Sequence, residues 1–262
     1  MATQLNKEFF DKEAATYDAK HERTLEYLIQ KIRAQLDFIG VEWASEADDD
    51  SLDSGADHGH TTRAVRLLDY ACGTGNVSRA LAPYTTQCVG IDLSEGMVAA
   101  YNQRASNQGL SQTEMFAYQG NLCDPSDPDP PSFAGPTFHN FDVAAVGLGF
   151  HHFDDPELAA ARLVQRLRPG GVLVIIDFTP HGPFAGAHDE DGEHKHDHPH
   201  AAAAQTVTHH GFSEERMREI FEKAGAGGEF GIADLGAISL PGKDHGGKEK
   251  RRRVFLARGT KL

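Results

Sequence analysis

Apolar positions along this 262-residue chain fall into two kinds of run. In the first kind they are consecutive. Val65, Leu67 and Leu68 close on Asp69, Gln87–Ile91 closes on Asp92, Met115–Leu122 reads as a strand and turn, Phe141–Val146 runs into Gly147, and Val172–Phe178 is continuous. Short uninterrupted runs of this sort predict strands buried on both faces, as in a parallel sheet. In the second kind the spacing is helical. Leu25, Leu28, Ile29, Ile32, Leu36 and Ile39 share one face of the first forty residues, and Met217, Ile220 and Phe221 share one face of a helix over 213–225. Helix ends are marked as well: Asn76, Ser94 and Ser213 are placed to cap, Ala224-Gly225 stops a helix, and Leu167-Arg168-Pro169-Gly170-Gly171 reads as a stop and turn. Glu229–Leu235 and Arg253–Ala257 are strand-like and predict a closing hairpin. Strands that alternate with helices predict an open α/β sheet.

Ligands of such sheets bind at the carboxyl ends of the strands, and the first strand delivers an acid, Asp69, to that edge. Gly73 and Gly75 follow, where a tight turn brings bare backbone to a ligand, and Asn76 opens a helix whose N-terminus suits an anionic group. A dinucleotide fingerprint would carry a third glycine where this chain has Ser78, which argues against a dehydrogenase. Asp92, ending the second strand, is placed as a ribose diol is usually held, by a bidentate carboxylate.

Asp69-Tyr70-Ala71-Cys72-Gly73-Thr74-Gly75 resembles motif I of the class I S-adenosylmethionine (SAM)-dependent methyltransferases. Asp92-Leu93-Ser94-Glu95-Gly96-Met97 is similar to the family's D-x-S-x-x-M segment. Phe141-Asp142-Val143 followed by His151-His152 resembles small-molecule methyltransferases of the ubiquinone/menaquinone-biosynthesis (type 11, UbiE-like) kind. Leu167–Gly171 before an apolar strand, and Phe9–Asp18 near the start, are also like that family.

The resemblance implies a Rossmann-like α/β fold: a seven-stranded, mostly parallel sheet with helices on both faces, an antiparallel last strand and an N-terminal helical lid. It implies SAM as cofactor and S-adenosyl-L-homocysteine (SAH) as product. Asp69, Ala71, Cys72, Gly73 and Gly75 would form the methionine end of the site, Asp92 with Leu93 and Met97 the ribose end, and Asn121 with Leu122 the adenine end. Asn121 stands where the family usually has Asp, and would accept from the adenine amino group through its amide oxygen. Gly147 would bring backbone near the sulfonium. Tyr17 either faces the cofactor or only packs the helix entry. His152 and His151 are candidate general bases, since neutral imidazole accepts a proton near neutral pH. Cys72 fills a small-residue position and lacks the paired His of a cysteine nucleophile.

Composition narrows the partners. With 39 acids against 25 bases the net charge is −14, which disfavours nucleic acid. The basic run Lys248–Arg253 reads as a solvated turn, with an acidic-ligand patch as the alternative. No apolar run approaches the roughly 20 residues of a membrane span, and three cysteines without a C-x-x-C pair favour a cytoplasmic chain with neither a disulfide framework nor a zinc site. Residues 1–43 are expected to be a helical cap, 44–63 an acidic flexible insertion, and 64–262 the cofactor-binding domain. That domain carries a His-rich insertion at about 181–205, where alternating His194, His196, His198 and His200 without an apolar anchor read as a solvated lid and not as a metal site. The function expected is methyl transfer to a small-molecule acceptor at O, N, S or C. The alternatives are a macromolecule methyltransferase and a non-catalytic SAM-binding protein.

Overall fold

The computed structural model describes residues 2–44, 63–181, 206–243 and 249–262. Among them the consecutive apolar runs form strands β1 (Arg66–Tyr70), β2 (Gln87–Asp92), β3 (Met115–Gln119), β4 (Phe141–Gly147) and β5 (Leu167–Phe178). A hairpin of β6 (Gly228–Lys243) and β7 (Glu249–Thr260) completes the sheet, in the order β3-β2-β1-β4-β5-β7-β6. β1 to β5 are mutually parallel, and β7 runs antiparallel to both β5 and β6, as expected for the last strand.

Between β1 and β4 the strand order reverses. β1 pairs with β2 on one side, Asp69 opposite Gly90, and with β4 on the other, Asp69 opposite Ala145. Loops leaving the carboxyl ends of β1 and β4 therefore diverge to opposite faces and open a crevice between them.

Both faces of the sheet are covered. Leu28, Ile32, Val77, Leu81 and Tyr101 pack over Leu67, Val143 and Val174 on one face. They come from helices α2 (Tyr17–Arg33), α4 (Asn76–Leu81) and α5 (Glu95–Asn107). On the other, Leu163 and Val164 of α6 (Pro156–Arg166) and Met217, Ile220 and Phe221 of α7 (Glu214–Ala224) cover Leu68, Ala144 and Ile175. The buried face of α2 is the predicted one, Leu25, Leu28, Ile29 and Ile32. Ahead of it lies α1 (Ala2–Glu13), and after it one turn, α3 (Leu36–Ile39). Ser94 and Ser213 cap as expected, accepting from Met97 N–H at 3.1 Å and Arg216 N–H at 3.2 Å. No helix of the described residues is long and apolar enough to cross a membrane.

Three elements differ from expectation. The α4 cap is Gly75, in the left-handed region at φ 90°, and Asn76 is the first helical residue. Leu167–Gly171 does not form a separate turn. It is already β5, pairing Leu167 with Phe141 before the register shifts, with Gly170 at φ 71° absorbing the irregularity. The closing hairpin is longer than its apolar core. Its far half, Ala237–Leu240 opposite Lys250–Arg253, lies beyond β5, so from Glu249 onward the basic run is strand and not turn. That half is held by α2, where Thr24 Oγ1 donates to the Ser239 carbonyl at 3.0 Å and Tyr27 Oη to the Leu235 carbonyl at 2.8 Å. Except at their ends, the expected insertions over 44–63 and about 181–205, including the alternating histidines, lie outside the described residues.

Candidate cofactor and acceptor site

The turn after β1 is left-handed at three residues: Ala71 (φ 53°), Gly73 (φ 51°) and Gly75 (φ 90°). The two glycines serve different ends. A Cβ on Gly73 would meet nothing within 4 Å, so this backbone faces open space. A Cβ on Gly75 would sit 2.8 Å from the buried Tyr101 ring, so packing and dihedral, not a ligand, require glycine there. Gly75→Ala is expected to destabilise the fold by about 2–4 kcal/mol, the sum of left-handed strain and overpacking, read as a lowered denaturation midpoint.

Asp69 lies beneath the turn, 1 % exposed, its Oδ2 accepting from Ser78 N–H at 2.9 Å and Ser78 Oγ at 2.7 Å. Its Oδ1 is buried without a partner. Burial pushes its carboxyl up to about 7, against the pull of the Ser78 hydrogen bonds. An acid whose folded pKa is raised stabilises the fold below its unfolded pKa of about 3.9. That contribution is lost as pH rises from about 4 to about 7. The unliganded protein should lose on the order of 2–4 kcal/mol across this window, and Asp69→Asn should flatten the loss in pH-dependent thermal melts.

Asp92 joins the two loops. Its Oδ2 accepts from Gly73 N–H and its Oδ1 from Ser94 N–H, both at 2.8 Å, leaving each oxygen further acceptor capacity. At the end of β3, Asn121 Oδ1 accepts from Tyr70 Oη at 3.0 Å and Cys123 N–H at 2.8 Å. Leu122 is fully buried, and its N–H donates to Tyr70 Oη at 3.1 Å.

After β4, the turn through Leu148, another left-handed residue at φ 56°, leads to a single 3₁₀ turn, Phe150–His152. The two histidines have different partners. His151 Nδ1 is 2.8 Å and 3.1 Å from the two carboxylate oxygens of Asp177, the buried acid near the end of β5. Asp177 also accepts from His151 N–H at 3.0 Å and Phe178 N–H at 2.7 Å. A carboxylate only accepts, so Nδ1 carries a proton, and in the neutral form of the ring the lone pair is on Nε2. His152 Nδ1 donates to the Thr206 carbonyl at 2.6 Å. Burial, followed by the neighbouring His151, pushes the His152 imidazole down to about 3, so this ring stays neutral.

Helices α1 and α2 roof this edge of the sheet and are tied to the loops by acids. Asp11 accepts from Ser94 Oγ at 2.6 Å, Gly96 N–H at 3.1 Å and Lys7 Nζ at 2.8 Å. Burial would raise its pKa, but these three donors overcome that and hold the carboxyl at about 2. Asp18 accepts from Thr74 Oγ1 at 2.6 Å and pairs with Arg104. Asn6 Nδ2 donates to the His152 carbonyl at 3.1 Å, and its Oδ1 is buried without a partner. Tyr17 stacks on His21 with centroids 4.6 Å apart. Burial, then the Asp92 charge, pushes its hydroxyl up to about 12.

These elements enclose a cavity of about 800 Å³. Of the residues expected from sequence, Tyr17, Ala71, Cys72, Gly73, Asp92, Leu93, Met97, Asn121, Gly147, His151 and His152 line it. Asp69, Gly75 and Leu122 do not: the first supports α4 from below, the second packs on Tyr101, and the third faces the core. Sequence reasoning passed over Asp177, Asn6, Asp11, Asp18 and His21. Asp177 carried a readable signal, an acid closing an apolar strand run, the feature that had singled out Asp69 and Asp92.

The cavity walls suit SAM. Asp92 offers two oxygens and Gly73 an unobstructed backbone, and Asn76, whose buried amide oxygen has no partner among the described residues, also lines the cavity. Residues 68–173 match the family model of a methyltransferase domain. Over these residues the chain is similar to methyltransferases. The domain is similar to that of an uncharacterised methyltransferase of Schizosaccharomyces pombe, 31 % identical over 161 residues, which are 61 % of this chain and 52 % of that one. A demethylmenaquinone methyltransferase of Clavibacter sepedonicus is 34 % identical over 130 residues, 47 % of this chain and 48 % of that one. The chain spans about half the length of these curated relatives. In fold it resembles a SAM-dependent methyltransferase of Thermotoga maritima, with a TM-score of 0.54 and 15 % identity, covering 98 % of this chain and 99 % of that one.

Proposed function

We propose that this chain transfers a methyl group from SAM to a small-molecule acceptor by in-line displacement, with residues 1–43 as its helical cap and 64–262 as its catalytic domain. The observation that carries this reading is the cavity, partly open to solvent, where the loops after β1 and β2 and the His151–Asp177 pair meet under the cap. Bound SAM supplies an electrophilic methyl on its sulfonium. The chain then has to bind, orient and exclude water. Ala71, Cys72 and Gly73 hold the methionine end, Asp92 accepts from the ribose hydroxyls with Leu93 and Met97 beside it, Asn121 meets the adenine, and Gly147 lies near the sulfonium.

The remaining wall carries an apolar cluster that includes Phe9, Phe10, Phe153, Phe178 and Ile238, and this supports a small acceptor. Lys7 and Lys20, at the same wall, are each paired with an acid of the cap, Asp11 and Glu13, which leaves a polyanion no unpaired Lys or Arg there among the described residues. His151 would take the acceptor's proton at Nε2, and Asp177 would stabilise the imidazolium. His152, neutral and anchored to Thr206, shapes the wall. Three free thiols, Cys72, Cys88 and Cys123, support a reducing, cytoplasmic setting.

Methyl-labelled SAM incubated with the protein and a cell extract tests the acceptor class. Label is expected in the small-molecule fraction. Label in protein or nucleic acid, or SAM binding without transfer, would contradict the reading.

A further inference from the structure

Asn121 carries an unexpected constraint. Cys123 N–H can only donate, so the side-chain atom it meets at 2.8 Å is the amide oxygen. Tyr70 Oη accepts from Leu122 N–H at 3.1 Å and donates to the same Asn121 oxygen at 3.0 Å, with the Cys123 thiol as a further neighbour of the hydroxyl. Both lone pairs of Oδ1 are then occupied within the chain. Leu122 N–H, the neighbouring backbone donor, is committed to Tyr70 as well. What Asn121 has left for the cavity it lines is Nδ2, which has no partner among the described residues. An aspartate here would keep one oxygen for the two internal donors and offer the second as an acceptor. Asparagine offers a donor.

Resting on the reading that SAM binds in this cavity, we infer that Asn121 recognises the purine as a hydrogen-bond donor to a ring nitrogen and makes no use of the 6-amino group. This reverses the polarity that the sequence resemblance implies, in which the residue accepts from that amino group. The exocyclic amine is then not selected by residue 121, and a base without it is tolerated there.

Isothermal titration with SAH and with its 6-deamino analogue, which keeps the ring nitrogens and lacks only the amine, tests the assignment. In Asn121→Ala both ligands should weaken alike, by about 3–10-fold, because the lost donor serves both. In Asn121→Asp, preference for SAH over the 6-deamino analogue should rise at least about fivefold above wild type, because an acceptor then faces the amine. If Asn121→Ala weakens SAH selectively, or if Asn121→Asp leaves the preference unchanged, the donor assignment is wrong. If wild type binds neither ligand, the cofactor reading itself fails, and this inference falls with it.

Discussion

His151→Ala lowers kcat by about 10²–10⁴-fold and leaves SAH affinity within about threefold of wild type. The size follows from the usual contribution of a positioned general base, and the split follows from the geometry. His151 stands beyond β4, on a different loop from Gly73 and Asp92, and its ring is oriented by Asp177 at 2.8 Å. Asp177→Asn should lower kcat by a comparable factor, because the amide can present an N–H to Nδ1 and place the ring proton on Nε2. The same substitutions at His152 separate the two histidines. A ring held at about 3 is a weak base, so His152→Ala should act mainly on acceptor KM, through the lost wall contact with Phe10. Steady-state kinetics with the acceptor found in the labelling experiment checks all three. A kcat loss at His152 that exceeds the loss at His151 would exchange their roles.

Asp92→Ala weakens SAH by about 10²–10³-fold. Two charge-assisted hydrogen bonds to a ribose diol contribute about 1.5–2 kcal/mol each, at the lower end of their usual range for a solvent-accessible site. In this chain the carboxylate also holds the Gly73 and Ser94 amides at 2.8 Å, so its loss leaves both loops without their common anchor. Titration of the variant measures the effect. An affinity within about fivefold of wild type would remove Asp92 from the ribose site.

Much of this arrangement was legible in the chain. The parallel strands announced themselves because strands covered on both faces need no polar positions, as in Val143–Val146 and Val172–Ile176. Ser94 and Ser213 were readable as caps because capping is a local contest between side-chain oxygen and backbone N–H. What escaped depended on tertiary neighbours. Gly75 looks like a ligand glycine until Tyr101 is seen against it. Asp11 and Asp18 are ordinary helix acids in sequence, and only folding brings them to Ser94 and Thr74. The far half of the β6–β7 hairpin was hidden because it packs on α2 beyond the parallel strands, so neither an unbroken apolar run nor clean alternation marks it. The polarity of Asn121 could not be read from its residue type, because Tyr70 and the chain direction at Cys123 set it.

The most direct test of a cofactor held at the Gly73 and Asp92 loops beneath the cap is amide hydrogen exchange of the full chain with and without SAH. The account predicts slowed exchange over 71–76, 92–97 and helices α1 and α2, because Asp11 and Asp18 couple those helices to the loops the ligand occupies. No SAH-dependent change, or protection confined to segments outside these loops, would contradict it.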